Sequence, residues 1–250
     1  MNEFELVSKY LRPLSLKNEG SLKLSDDVYY NSKKKIVISV DTYVEGRHFI
    51  NSSEPKKFLI KILRASLSDL YCKGVKPQSY FLSFALNKSI VSASWLKKIK
   101  DILRKEQKRF KISLAGGDTT MSSKLVISII VLGYATKKPV FRHTCSFNDD
   151  IYVTGNIGDS FLGLNVLNKK VNYGKYNKFF VERFYKPELP VKVSSYLNEI
   201  ASSSIDISDG LAQDLHHICK NSQCGAFIDL NCLPLSINIK KLVKKKELIF

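Results

Sequence analysis

The most apolar run in the chain, LVISIIVLGYA from Leu125 to Ala135, sets the first constraint on the fold. It is too short to cross a bilayer and is rich in β-branched residues, so it reads as a strand buried inside a sheet. Residues 36–42 (IVISVDT) and 79–86 (SYFLSFAL) read as further strands, as do residues 111–115, and the apolar run itself is expected to span 124–136. Helical spacing marks about Lys56 to Cys72, closed by Gly74 with Pro77 beyond it, and Trp95 to Phe110, with Trp95, Ile99, Ile102 and Leu103 facing inward. Phe4, Val7, Ser8 and Leu11 suggest a short amphipathic helix at the start, followed by a polar connection to about residue 23.

The polar segment KKPVFRHTCSFNDD, residues 137–150, carries the best boundary signal and divides the chain into units 1–137 and 138–250. Beyond it come a strand (IYVTG, 151–155), a helix opening at Gly158-Asp159-Ser160, helices near 175–185 and 189–200, an extended segment at 203–208, a helix from Leu211, a strand at 225–230 and a Lys-rich end. Strands and helices mix without regular βαβ alternation, so the expected class is α+β. A chain of 250 residues, 44% hydrophobic, has room for one large or two modest domains.

Charge narrows the function classes. The formal net charge is +17, carried by 33 lysines and only seven arginines. Readers of nucleic-acid sequence lean on arginine for bidentate contacts, so scattered lysines argue for solvated faces and against a nucleic-acid partner. The same field attracts anionic, phosphorylated substrates. Five cysteines without a C-x-x-C pair fit neither a zinc site nor a disulfide framework, and the N-terminus MNEFELVSKYL has no secretory pattern. A cytoplasmic protein with reduced thiols and no membrane span is expected.

The aspartates cluster. Asp26 and Asp27 lie in LSDDV, Asp41 in SVDT, Asp69 in SLSD, Asp118 in AGGDTT, and Asp206 and Asp209 in SIDISDG, so five blocks hold seven of the thirteen aspartates. In each block a carboxylate falls beside Ser, Thr or Gly at an expected strand end or element boundary. If they converge, they repel one another unless a cation neutralises them, and Mg²⁺, with its preference for hard oxygen ligands, suits that task. In Ser203 to Asp214 the plain reading is a strand, a turn and a helix, with Ser208 or Asp209 as N-cap. Gly116-Gly117-Asp118 fits either a tight turn or a close backbone approach to phosphate, and His48 either a phosphate contact or a structural role. His216 and His217 have no metal-ligating residue at i+4 and read as surface or packing residues. There is no P-loop and no protein-kinase signature.

Taken in order, SDD, SVDT with G-x-H-F, SLSDL, GGDTT, Y-V-T-G-x-x-G-D-S and IDISDGL-x-x-D-L resemble the thiamine-monophosphate kinase family of the aminoimidazole ribonucleotide synthetase-like superfamily, from the N-terminal helix to about Pro234. The resemblance implies a two-domain α+β fold, with an N-terminal domain contributing to a β-barrel across a homodimer. It implies ATP-dependent phosphorylation of thiamine monophosphate to thiamine diphosphate. Carried over, Asp27, Ser39, Val40 (through its carbonyl), Asp41, Asp69, Asp118, Asp206 and Asp209 form the Mg²⁺ network. Gly117, Asp118, Arg142 and Ser208 contact ATP, His48 lies at the thiamine phosphate, and Asp41, Asp118 and Arg142 are the catalytic set.

Departures from the family pattern are Ser25 for Gly, Val40 for Thr, Lys100 where an aromatic residue is common near the ATP base, and Asn148-Asp149 for Gly-Asp. The family's S-G-G-E-D-Y-E-L block has no counterpart before Phe250. The expectation is therefore a C-terminally truncated second domain with metal and ATP machinery but part of the acceptor site missing. The alternatives are a non-catalytic remnant that binds nucleotide, or a related ATP-dependent enzyme with another substrate.

Overall fold

The computed structural model describes residues 3–245. The chain opens with helical turns α1 (Glu3–Leu6), a wider π-helical stretch (Val7–Leu11) and α2 (Arg12–Ser15), then a 3₁₀ segment (Glu19–Leu24). β1 (Tyr29–Asn31), β2 (Ile36–Val44), α3 (Pro55–Tyr71), β3 (Pro77–Leu86), α4 (Ala93–Phe110), β4 (Ser113–Met121) and β5 (Val126–Tyr134) follow. The remainder is helical or irregular: α5 (Asp159–Leu167), α6 (Asn177–Tyr185), α7 (Val191–Ser194), α8 (Leu197–Ile200), α9 (Leu211–Ser222) and α10 (Ile237–Lys244).

The five strands form one sheet in the order β1-β2-β5-β3-β4, so the apolar run that became β5 is central, as its composition demands. β5 pairs antiparallel with β2 and β3, and β4 runs parallel to β3 at one edge. Alternate residues Ile127, Ile129 and Val131 are fully buried against Leu59, Ile62, Leu63, Leu67 and Leu70 in the same core. Among the described residues no helix covers the other face of the sheet, and Val40 there is 63% exposed. One covered and one open face is the common arrangement for a largely antiparallel sheet.

Local chemistry fixes the helices. Pro55 sits in the first turn of α3, where a missing N–H costs nothing, and the Ser92 hydroxyl caps α4 by accepting from the Trp95 amide at 3.2 Å. Arg64 of α3 makes a bidentate pair with Glu106 of α4 (2.7 and 3.1 Å) and donates to the Pro187 carbonyl at 3.0 Å. Its third bond ties the chain beyond α6 to the sheet-bearing part. A smaller core of Leu162, Phe180, Ile239 and Leu242 gathers α5, α6 and α10.

Several expectations required correction. Residues 151–155, 203–208 and 225–230 are extended in pattern but pair with no strand among the described residues. A strand is defined by its neighbour, and period-2 patterning cannot supply one. Tyr152 and Phe227, each 88% exposed, lie in two of those segments. The helix expected over 189–200 is two single turns, α7 and α8. β1 and α10 had not been anticipated, and β4 continues to Met121, so Gly116-Gly117-Asp118 lies within a strand and is not a turn. Gly117 is needed there because a Cβ would come within 1.9 Å of the Leu82 carbonyl oxygen on β3.

Candidate functional site

Alternation along β2 sends Ser39, Asp41 and Tyr43 to the helix-covered face, beneath α3. The Tyr43 hydroxyl donates to Asp41 Oδ2 at 3.0 Å and lies 3.1 Å from the Ser66 hydroxyl of α3. Two residues further along α3, the Ser68 hydroxyl reaches Asp206 Oδ2 at 2.6 Å, drawing in the segment that precedes α9. Asp69, buried on the same helix, completes a group of three carboxylates from three separate parts of the chain.

Their electrostatics show the strain of convergence. Burial raises the proton affinity of Asp41, and the charge of Asp206 adds to the rise. Asp69 is pushed well above the usual carboxylate range, by burial first and then by Asp41 and Asp206. Tyr43 holds its proton more tightly than a free phenol, by burial and then by the Asp41 charge, so it serves as a donor.

Beside this group lies a buried network of ion pairs. Lys73 Nζ, fully buried, contacts Asp26 Oδ1 at 2.9 Å and Asp27 Oδ2 at 3.2 Å, and donates to the Ser204 carbonyl at 3.0 Å. Burial works against the Lys73 ammonium, but Cys72 and Asp26 outweigh it and its proton affinity ends above that of a free lysine. Arg142 grips Asp27 through Nη2 and through Nε at 2.9 Å, while its backbone N–H donates to Asp26 Oδ2 at 2.9 Å. The two cations are thus matched by Asp26 and Asp27. Asp41, Asp69 and Asp206 are left without an ion-pair partner among the described residues.

That remainder fits a hard divalent cation. Three mutually repelling carboxylates offer oxygen ligands, and the buried Ser39 hydroxyl, next to Asp69, has no well-formed hydrogen bond. Asp27, Cys72 and Asp206 each bring one ligand atom within 4.8 Å of the others, which joins the ion-pair network to the carboxylate group.

The loop before α9 is built differently from its expectation. Neither Ser208 nor Asp209 caps the helix; Gly210 holds that position without a side-chain bond. Instead Asp214, in the first turn, turns back so that Oδ2 accepts the amides of Ser208 (3.0 Å), Asp209 (3.1 Å) and Gly210 (3.0 Å). An acceptor inside the helix satisfies the loop and leaves the Ser208 and Asp209 side chains outward, both exposed. Asp209 accepts from Gln213 Nε2 at 3.0 Å.

Other expected positions stand apart. Strand register places Asp118 opposite Ser83, in a row with Ser128 and Thr42, on the open face and away from Asp41. Gly117 is exposed on the same edge strand, and the Val40 side chain points outward. His48 lies in the turn after β2, where Nδ1 accepts the Val44 amide at 2.9 Å and the ring sits edge-on to Tyr43 at 5.8 Å. That placement puts the imidazole one side chain from Asp41.

Lys73, Ser66, Ser68, Tyr43 and Asp214 were not singled out from sequence. Asp214 had a signal, as the last acid of IDISDGL-x-x-D-L. Lys73 had none, being one lysine among thirty-three.

Comparison with known proteins places the chain in a family. Residues 24–135 match the family model "AIR synthase related protein, N-terminal domain". Thiamine-monophosphate kinase of Buchnera aphidicola subsp. Schizaphis graminum is 37% identical over 242 residues, covering 94% of this chain and 74% of the relative. The Escherichia coli K12 enzyme of that name is 33% identical over 252 residues, covering 98% and 77%. Among solved structures, AaThiL complexed with AMPPCP and TMP superposes with a TM-score of 0.85 at 26% identity, covering 98% of this chain and 80% of that one. The chain belongs to the thiamine-monophosphate kinase family.

Proposed function

We propose that the protein transfers the terminal phosphoryl group of ATP to the phosphate of thiamine monophosphate, giving thiamine diphosphate and ADP. The observation that carries this reading is the convergence of Asp41, Asp69 and Asp206 with their charge unmatched, in a chain of this family. Phosphoryl transfer asks for positioning and charge neutralisation more than for a covalent nucleophile. The acceptor oxygen is already anionic, so no general base is required.

In this proposal Asp41, Asp69, Asp206 and the Ser39 hydroxyl hold Mg²⁺, with Asp27, Asp209 and the Val40 carbonyl as further ligands; Asp118, on the opposite face of the sheet, stands outside this ligand set. When bound, Mg²⁺ neutralises phosphate oxygens. Arg142 meets ATP phosphate from the ion-pair network, Ser208 offers an outward hydroxyl, Gly117 and Asp118 contact nucleotide, and His48 addresses the thiamine phosphate. Asp41 and Arg142 form the catalytic set of this site. The open sheet face bears Val40, Ile130 and Phe81 in adjacent register, an apolar stripe suited to a second copy. A homodimer built on it would put Asp118 at the interface, and the division into units 1–137 and 138–250 accompanies that arrangement.

The test is ADP release from ATP and Mg²⁺ with and without thiamine monophosphate. The expected result is stimulation by the acceptor, with thiamine diphosphate as product. A folded chain whose ADP release ignores the acceptor would overturn the proposal.

A further inference from the structure

Cys145 and Cys224, 79 residues apart in sequence, place their sulfurs 3.2 Å from each other. Both are half-buried, and hydrogen bonds hold both flanks. The Ser222 hydroxyl at the end of α9 accepts the Cys145 amide at 3.3 Å and donates to the Arg142 carbonyl at 3.2 Å. The Cys224 amide donates to the Cys219 carbonyl at 3.0 Å, with Gln223 in the left-handed conformation between them and the helix end. The two backbones are thus already docked, and bond formation needs only about 1 Å of approach between the sulfurs. By contrast, Cys72 donates to the Asp69 carbonyl at 3.2 Å, and the exposed Cys232 lies 3.7 Å from the Asp229 carboxylate.

We propose that Cys145 and Cys224 form a dithiol oxidation site that a small-molecule disulfide converts to an intramolecular crosslink. One thiolate attacks a sulfur of the oxidant, forming a mixed disulfide and releasing one small thiol. The second cysteine then displaces the other small thiol. Two S–H bonds are lost, one S–S bond forms, and the oxidant takes up two electrons and two protons as two thiols. The crosslink ties the segment behind Arg142 to the end of α9, whose first turn holds the Ser208–Gly210 loop through Asp214. This inference rests on thiol geometry and is independent of the proposed reaction.

The full chain, reduced and then incubated with oxidised glutathione at pH 8, is freed of excess reagent, denatured, alkylated and mapped by mass spectrometry. Two of the five cysteines are expected to resist alkylation with no retained glutathione, and the Cys145 and Cys224 peptides are expected to be joined. Cys145→Ser and Cys224→Ser should each abolish the joined peptide and leave glutathione on the remaining partner. Five alkylatable thiols, a link between any other pair, or wild-type protein that gathers only glutathione adducts would overturn the proposal.

Discussion

Lys73 and Asp69 are both buried and charged, and they meet opposite fates. Lys73 has two carboxylates and a carbonyl around it, so removing it strands Asp26 and Asp27 in a low-dielectric interior with Arg142 alone. Lys73→Met is expected to cost about 3–5 kcal/mol in chemical denaturation, the range for breaking a buried ion pair. Asp69 faces the reverse situation. Its native proton affinity is raised, so the folded state holds the proton more tightly than the unfolded one, and stability falls as pH climbs from the unfolded carboxylate range through the native value. Metal-free Asp69→Asn should therefore melt higher than wild type at pH 8, and Mg²⁺ should raise the melting temperature of wild type more than that of the variant. Asp69 was legible because SLSD places an acid beside hydroxyls near a helix end. Lys73 was not, because burial of a lysine depends on which carboxylates the fold brings over it.

Elements show where pattern suffices and where it fails. α3, α4, β2, β3 and β5 came through because their apolar periodicity is long and each buries a full face. Residues 151–155, 203–208 and 225–230 carry the same alternation over a few residues, but among the described residues no neighbour offers a hydrogen-bond ladder. Gly116-Gly117-Asp118 misled for another reason: in sequence, a glycine demanded by close strand approach looks like a glycine demanded by a turn. Gly117→Ala is expected to lose about 2–4 kcal/mol of stability, since the new methyl meets the Leu82 carbonyl. Asp214→Ala should free three amides, and hydrogen exchange at residues 208–210 should accelerate by at least about fivefold, since even one such bond is worth roughly 1 kcal/mol.

Across the whole molecule, the chain presents one well-covered sheet face and one open face. Five aspartate blocks scattered over nearly two hundred residues were readable as a set, yet spacing could not say which of them converge. The fold unites Asp41, Asp69 and Asp206 through β2, α3 and the segment before α9, and it carries Asp118 to the opposite face of the sheet. If a second copy covers that open face, Phe81→Glu should halve the mass seen by light scattering while leaving the monomer folded. A wild-type chain that is already monomeric would remove the dimer from the account.

The most direct test of the carboxylate cluster is thiamine diphosphate formation by wild type and Asp206→Asn across a Mg²⁺ titration, with native circular dichroism confirmed for both. Wild type should show Mg²⁺-dependent turnover, and the variant should fall by on the order of 100-fold or more at every Mg²⁺ concentration. An Asp206→Asn chain that keeps the wild-type rate and the same Mg²⁺ activation curve would contradict the assignment of this cluster as the cation site.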